Sequence, residues 1–149
     1  MSEGLKLCEY PLRSNEKLRY ADTDRLGHIN NTVFPMLFET GHAELLYGEG
    51  APTLESGCFF IIARLVIEMV GETFWPGMVD IGTRVSKLGQ SSVELDQAMF
   101  QDERCVATAK SVIVFYDEGN HRSRALSPTT LQYLSSFETQ NAASHNRSK

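Results

Sequence analysis

The chain is short of positive charge: 14 lysines and arginines stand against 19 aspartates and glutamates, for a formal net charge of -5. A protein that grips nucleic acid needs a basic surface to neutralise phosphates, so the balance argues against that class of partner. Arg64, Arg84, Lys87, Arg122 and Arg124 leave room only for a small phosphorylated ligand. Cysteine is scarce as well. Cys8, Cys58 and Cys105 are odd in number and lack paired spacing, which favours free thiols in a reducing cytoplasm over a disulfide framework or a zinc site. Long apolar runs are also missing. None reaches the ~20 residues that a membrane span requires, and Met1 to Tyr10 carries no signal-peptide pattern. What is present, 42% hydrophobic and 22% charged residues over 149 positions, suits one globular domain spanning residues 1–149, able to bury a core without staples.

The period of the apolar residues changes once along the chain. Met1 to Glu16 reads as a loose lead-in and Lys17 to Ala21 as a short strand. From about Thr32 to Tyr47 the apolar residues recur at helical spacing, and Phe34, Phe38 and Leu45 widen that face until most of the cylinder is apolar, as in a buried helix. Asn30 or Asn31 supplies the N-cap, Pro35 fits a first turn, and Gly48 and Gly50 end the helix. Strands follow at Phe59–Val70, Met78–Leu88, Ser92–Phe100 and Cys105–Tyr116. The short turns between the later ones predict an antiparallel sheet.

On the last strand Cys105, Ala107, Ala109, Ser111, Ile113 and Phe115 share one face, mostly small, on which a helix can lie close. Ser127–Phe137 predicts a short second helix, and Glu138–Lys149 a polar, mobile tail, so the core spans about 16–137. The sum is an α+β fold: one long central helix wrapped by an antiparallel sheet of about five strands. One helix cannot cover both faces of such a sheet, so a homodimer or homotetramer is expected.

The segment Asp22-Thr23-Asp24-Arg25-Leu26-Gly27-His28-Ile29-Asn30-Asn31 concentrates chemistry at the strand-to-helix junction. A carboxylate beside the electropositive start of a helix supplies the two parts that acyl-bond hydrolysis needs, a base and an oxyanion donor. Read alone, Asp22 suits a surface salt bridge or, if the strand continues, a place on the same side as Asp24, and Asn30 and Asn31 suit caps with one orienting water or substrate. His28 suits either a turn-ordering histidine or a group that positions water. Glu39, placed on a buried helix, needs a partner such as His28, Arg64 or an attacking water. Glu39 and His42 form a Glu-x-x-His element, but a di-iron site needs a second such helix and there is none. His121 and His145 fall in a turn and the tail and are expected to be idle.

This motif, followed by Phe34, Phe38 and Glu39, resembles the fingerprint of the hotdog-fold thioesterases, in the branch typified by 4-hydroxybenzoyl-CoA thioesterase. Gly77 to Val85 with Leu88 to Val93 is similar to a second segment of that family, and the resemblance spans roughly Leu18 to Pro128. It implies hydrolysis of an acyl-CoA or acyl-carrier-protein thioester in the cytoplasm, without metal or organic cofactor, coenzyme A being part of the substrate. By matching position it makes Asp24 the catalytic acid, as base or nucleophile, and the backbone amide at or near Asn31 the group that polarises the carbonyl. The plant acyl-carrier-protein thioesterases have a similar pattern that adds His28 and Asn30. The family's strands imply that Arg84, Ser91 and Ser92 face coenzyme A, while Phe34 and Phe59 stand among the aromatics expected in the core or an acyl pocket. Two rivals predict different outcomes: a hotdog dehydratase of 3-hydroxyacyl thioesters, whose H-F-P context is absent here, and a non-catalytic acyl-CoA-binding module, which releases no thiol.

Overall fold

Asn30 starts the long helix. In the computed structural model, which describes residues 4–139, the Asn30 side chain accepts from Thr32 N at 2.9 Å and caps a 3-10 turn, Asn31–Val33. That turn runs directly into helix α1 (Phe34–Tyr47). Strands β1 (Leu12–Lys17), β2 (Cys58–Met69), β3 (Met78–Leu88), β4 (Ser92–Gln101), β5 (Arg104–Asp117) and the two-residue β6 (Arg122–Ser123) form a single sheet, and α2 (Pro128–Ser135) closes the chain. The strand order is β1-β3-β4-β5-β2, with β6 on β5 and every pairing antiparallel. This is the hotdog arrangement expected from the sequence.

Phe34, Leu37 and Phe38 pack on Val79, Ile81, Met99, Ala107 and Ala109, and Leu45 and Leu46 pack within a second cluster that includes Val85, Leu95, Ile113 and Phe115. The small inner face of β5 lets the helix lie close, and Gly41 brings it closer still to β3 and β4. A Cβ there would stand 2.5 Å from Thr83 Oγ1 and 2.6 Å from Gln97 Nε2. Gln97 Nε2 instead donates to the Phe38 carbonyl at 2.9 Å and to Thr83 Oγ1 at 3.0 Å.

Several expectations are corrected. The lead-in is ordered from at least Leu7: a 3-10 turn at Leu7–Glu9 precedes β1, and Tyr10 is buried. The Tyr10 ring occupies the space above Gly82 and meets Phe100 edge-on, with the Arg84 guanidinium 4.9 Å from its centroid. The first strand therefore lies at Leu12–Lys17 instead of Lys17–Ala21, and Tyr20–Asp22 is a 3-10 turn. No apolar alternation marks Leu12 to Lys17; pairing with β3 alone makes it a strand. Cys105 leaves the inner face and packs beside Tyr10 and Phe100, because a bulge at Met99/Phe100 inserts one residue and reverses the alternation.

Glu39 is exposed, as are Pro35 and Met36, so α1 is buried on one side only in a single chain. The expected tail lies outside the described residues beyond Thr139, His145 included. Among the described residues no helix is long and apolar enough to cross a membrane.

Candidate active site

Between β1 and α1 the chain folds back on itself in a miniature hairpin. Asn30 N donates to the Asp22 carbonyl at 2.8 Å, Thr23 bridges to Ile29, and Asp24 N donates to the His28 carbonyl at 2.7 Å. Gly27, at φ +86°, makes the tight return that an L side chain resists. The base of the hairpin, Asn30, is also the cap of the helix, so the loop and the helix start are one rigid piece.

Asp22 anchors the first arm. Its buried carboxylate meets Arg19 Nη2 at 2.8 Å and Arg19 N at 2.8 Å, and the bond from the Arg19 side chain holds its carboxyl below the usual range. Asp22 is thus a structural ion-pair residue, buried where a surface salt bridge was expected.

Asp24 is half-buried and divided in its duties. Oδ1 accepts from Leu26 N at 2.8 Å and from His28 N at 3.1 Å. Oδ2 takes no hydrogen bond among the described residues. One oxygen is anchored, and the other makes no bond within the described chain. The Asn31 N–H likewise has no acceptor among the described residues, and it stands at the positive end of α1 and its leading turn.

His28 adds its ring to a neighbouring loop. Nε2 lies 3.5 Å from Glu72 Oε1, and the ring meets Phe74 edge-on at 5.2 Å. That loop, residues 70–77, is stitched to the hairpin by Ile29 N to the Thr73 carbonyl at 2.9 Å and to β1 by Leu18 N to the Gly77 carbonyl at 2.9 Å. Trp75 and Tyr20 stack edge-on at 5.2 Å beside it, Tyr20 being 72% exposed.

The other expected residues divide sharply. The Asn30 side-chain oxygen is committed to Thr32 N and Thr32 Oγ1, which makes Asn30 a cap. Phe34 belongs to the core. Glu39 touches neither His28 nor Arg64 through a hydrogen bond or ion pair among the described residues, and its exposure removes the need for one. His42, one turn on, is the buried titratable group of the helix; desolvation pushes its imidazole down, with Glu39 opposing.

Ser91 and Ser92 stand at the β3–β4 turn, at the far end of β3 from Gly77 and about 30 Å away at the usual rise per residue. Arg84 is on the outer face, facing Tyr10 and 3.6 Å from Asp96. Phe59 lies at the far end of β2 on its outer face, against Tyr116. Within one chain, then, Asp24 and His28 come together at the tip of the hairpin and Asn31 follows its base, while Arg84, Ser91, Ser92 and Phe59 do not join them. Glu72, Phe74 and Gln101 were missed. They belong to other segments, and no periodicity announces that a loop 40 residues on will dock against a hairpin. Among the described residues no cluster of three or more histidine, cysteine or acidic side chains could hold a metal ion.

Comparison with known proteins adds three findings. The family model of the thioesterase-like superfamily matches residues 18–134. No curated protein sequence matches the chain. Among solved structures, the PA5185 protein of Pseudomonas aeruginosa superposes with a TM-score of 0.81 at 22% identity, over 90% of this chain and 96% of that one. A Thermus thermophilus thioesterase complexed with coenzyme A and zinc gives 0.73 at 24% identity, over 87% and 96%. A Staphylococcus aureus DHNA-CoA thioesterase gives 0.76 at 18% identity, over 93% and 95%. At such identities the solved structures establish the shared fold.

Proposed function

The chain belongs to the thioesterase-like superfamily and is a thioester hydrolase; from that premise we propose that it cleaves acyl-CoA thioesters with Asp24 as the reacting carboxylate. The observation that carries this reading is the division at Asp24, with Oδ1 tied to two amides and Oδ2 left open on a loop whose base caps the helix. A thioester carbonyl set over the Asn31 N–H would place its developing oxyanion at the positive helix end. Removing one such donor costs about 3 kcal/mol in other enzymes. Oδ2 then either takes a proton from the attacking water or attacks the carbonyl itself to give an anhydride that water opens. In both routes the C–S bond breaks, the thiolate leaves and takes up a proton, and the free acid remains. His28 serves this scheme chiefly by donating its backbone N–H to Oδ1.

The site is completed by a second copy of the chain. β2 is an edge strand of 12 residues carrying Ile61, Ile62, Leu65, Val66 and Met69 in exposed positions, a template for pairing that a monomer would have to protect. Two such edges paired antiparallel about a twofold axis bring the Cys58 end of one beside the Met69 end of the other. That sets the Phe59 end of one β2 beside the end of the other that runs into the loop carrying Phe74, and there we look for the substrate contact expected of Phe59. Release of free thiol from acetyl-, hexanoyl-, palmitoyl- and benzoyl-CoA tests the activity. Turnover of at least one is expected. Tight binding with no thiol released would establish a binding module, and dehydration of 3-hydroxyacyl-CoA in its place a dehydratase.

A further inference from the structure

Gln101, at the end of β4 just past the Met99/Phe100 bulge, is 4% exposed and spends its amide on the backbone of one residue. Phe74 N donates to Gln101 Oε1 at 2.9 Å, and Gln101 Nε2 donates to the Phe74 carbonyl at 2.8 Å. This is the pair of bonds that a neighbouring strand would make. It is available because Phe74 faces His28 as a non-hydrogen-bonded pair: the stitching bond runs from Ile29 N to the Thr73 carbonyl, and the amide and carbonyl of Phe74 point the other way. Such pairs bring side chains close, and the Phe74 and His28 rings meet at 5.2 Å. His28 in turn donates its N–H to Asp24 Oδ1 at 3.1 Å, and its carbonyl accepts from Asp24 N at 2.7 Å. Gly77 leaves room for the clamp, since a Cβ there would stand 2.9 Å from Gln101 Nε2.

Resting on the reading of Asp24 as the reacting carboxylate, we propose that Gln101 is a positioning residue for it, acting through Phe74 and His28. Bonds from Val70 N and Gly71 N to the Val106 carbonyl and from Leu18 N to the Gly77 carbonyl fix the ends of the loop. In its middle the Thr73 carbonyl is held from the hairpin side, and Phe74, which makes the contact with His28, is held from the other side by Gln101. Without the clamp Phe74 drifts from His28, and the His28 N–H that aims Oδ1 loosens while the substrate-binding surface is otherwise unchanged.

Gln101→Met keeps the length of the side chain and removes both bonds. It is expected to lower kcat by about 10- to 100-fold with little change in KM, since small misplacements of reacting groups have effects of that order. Gln101→Glu supplies a conservative test with a pH readout. Protonated, the acid accepts from Phe74 N and donates to the Phe74 carbonyl, as the amide does; ionised, it can only accept. Burial raises the pKa of such a group, so the kcat of Gln101→Glu relative to wild type should recover as pH falls from about 8 toward about 5.5, while Gln101→Met stays low throughout.

A Gln101→Met enzyme that melts lower yet keeps kcat within about threefold of wild type overturns the proposal. If Gln101→Met does not fold, Gln101→Glu decides alone, and a flat ratio across pH overturns it. In the Asp24→Asn background, Gln101→Met should cause no further loss. Full activity of Asp24→Asn itself would overturn both readings, whereas an inactive Asp24→Asn beside a fully active Gln101→Met overturns only the positioning role.

Discussion

Asp24→Asn separates the two duties of the carboxylate. Asparagine retains an oxygen at Oδ1, so Leu26 N and His28 N keep their acceptor, but the open atom becomes an amide nitrogen that neither accepts a proton nor attacks a carbonyl. Hydrogen bonds to a charged acceptor are worth about 1.5–3 kcal/mol and to a neutral one about 0.5–1.5. Two bonds therefore weaken by about 1 kcal/mol each, less where water reaches this half-buried loop. A loss of about 1 kcal/mol lowers the melting temperature by about 2–4 °C in a domain of this size. The rate should fall far more, by about 10²–10⁴, the usual worth of a positioned acid or base. That corresponds to about 3–5 kcal/mol of barrier.

Asp24→Ala removes the anchor as well and should melt lower than Asp24→Asn at a similar residual rate. The assay is thiol release under saturating acyl-CoA, with thermal melts of the same preparations. An Asp24→Asn enzyme that melts several degrees lower but turns over within about threefold of wild type would refute the reasoning. Asp24 would then be a loop anchor and nothing else.

The remaining predictions concern the helix and the sheet edge. Burial favours neutral His42 in the folded chain, while the unfolded imidazole titrates near ~6.5. The unfolded state therefore binds the proton more readily, and the stabilisation present above about pH 6.5 is lost as pH falls toward the lowered folded value. Wild type should lose more melting temperature than His42→Leu between about pH 7.5 and 5.5, and equal losses would contradict the burial argument. Ile61→Lys with Val66→Lys places two charges on the β2 edge and should shift the mass measured by light scattering toward the 16.7 kDa single chain, with loss of turnover. Wild type that is monomeric and fully active would remove the shared-site proposal.

Much of the fold was legible because its strongest signals are local. The limits of β3 follow from alternation between two turn segments, and the start of the helix follows from Asn30, whose side chain caps by reaching only two residues ahead. That Asp24 lies at a polar junction just ahead of the helix was legible for the same reason, but that the junction folds back as a hairpin was not read from the sequence, although its bonds fall between Arg19 and Thr32. Glu39 was misread because helical spacing reports which faces are apolar and not which face a single chain covers. Cys105 was misread because a bulge on β4 and β5 is a property of the pair of strands.

By itself the order of residues determined the helix, the run of antiparallel strands and the loop that presents Asp24, because caps, turns and alternation act over a few residues. Only the tertiary structure decided that Leu12–Lys17 is a strand, that Tyr10 covers Gly82, and that Gln101 grips Phe74 behind His28. Those contacts join positions tens of residues apart. Their stabilisation exists only once the sheet has formed, so nothing in the neighbourhood of each residue records it.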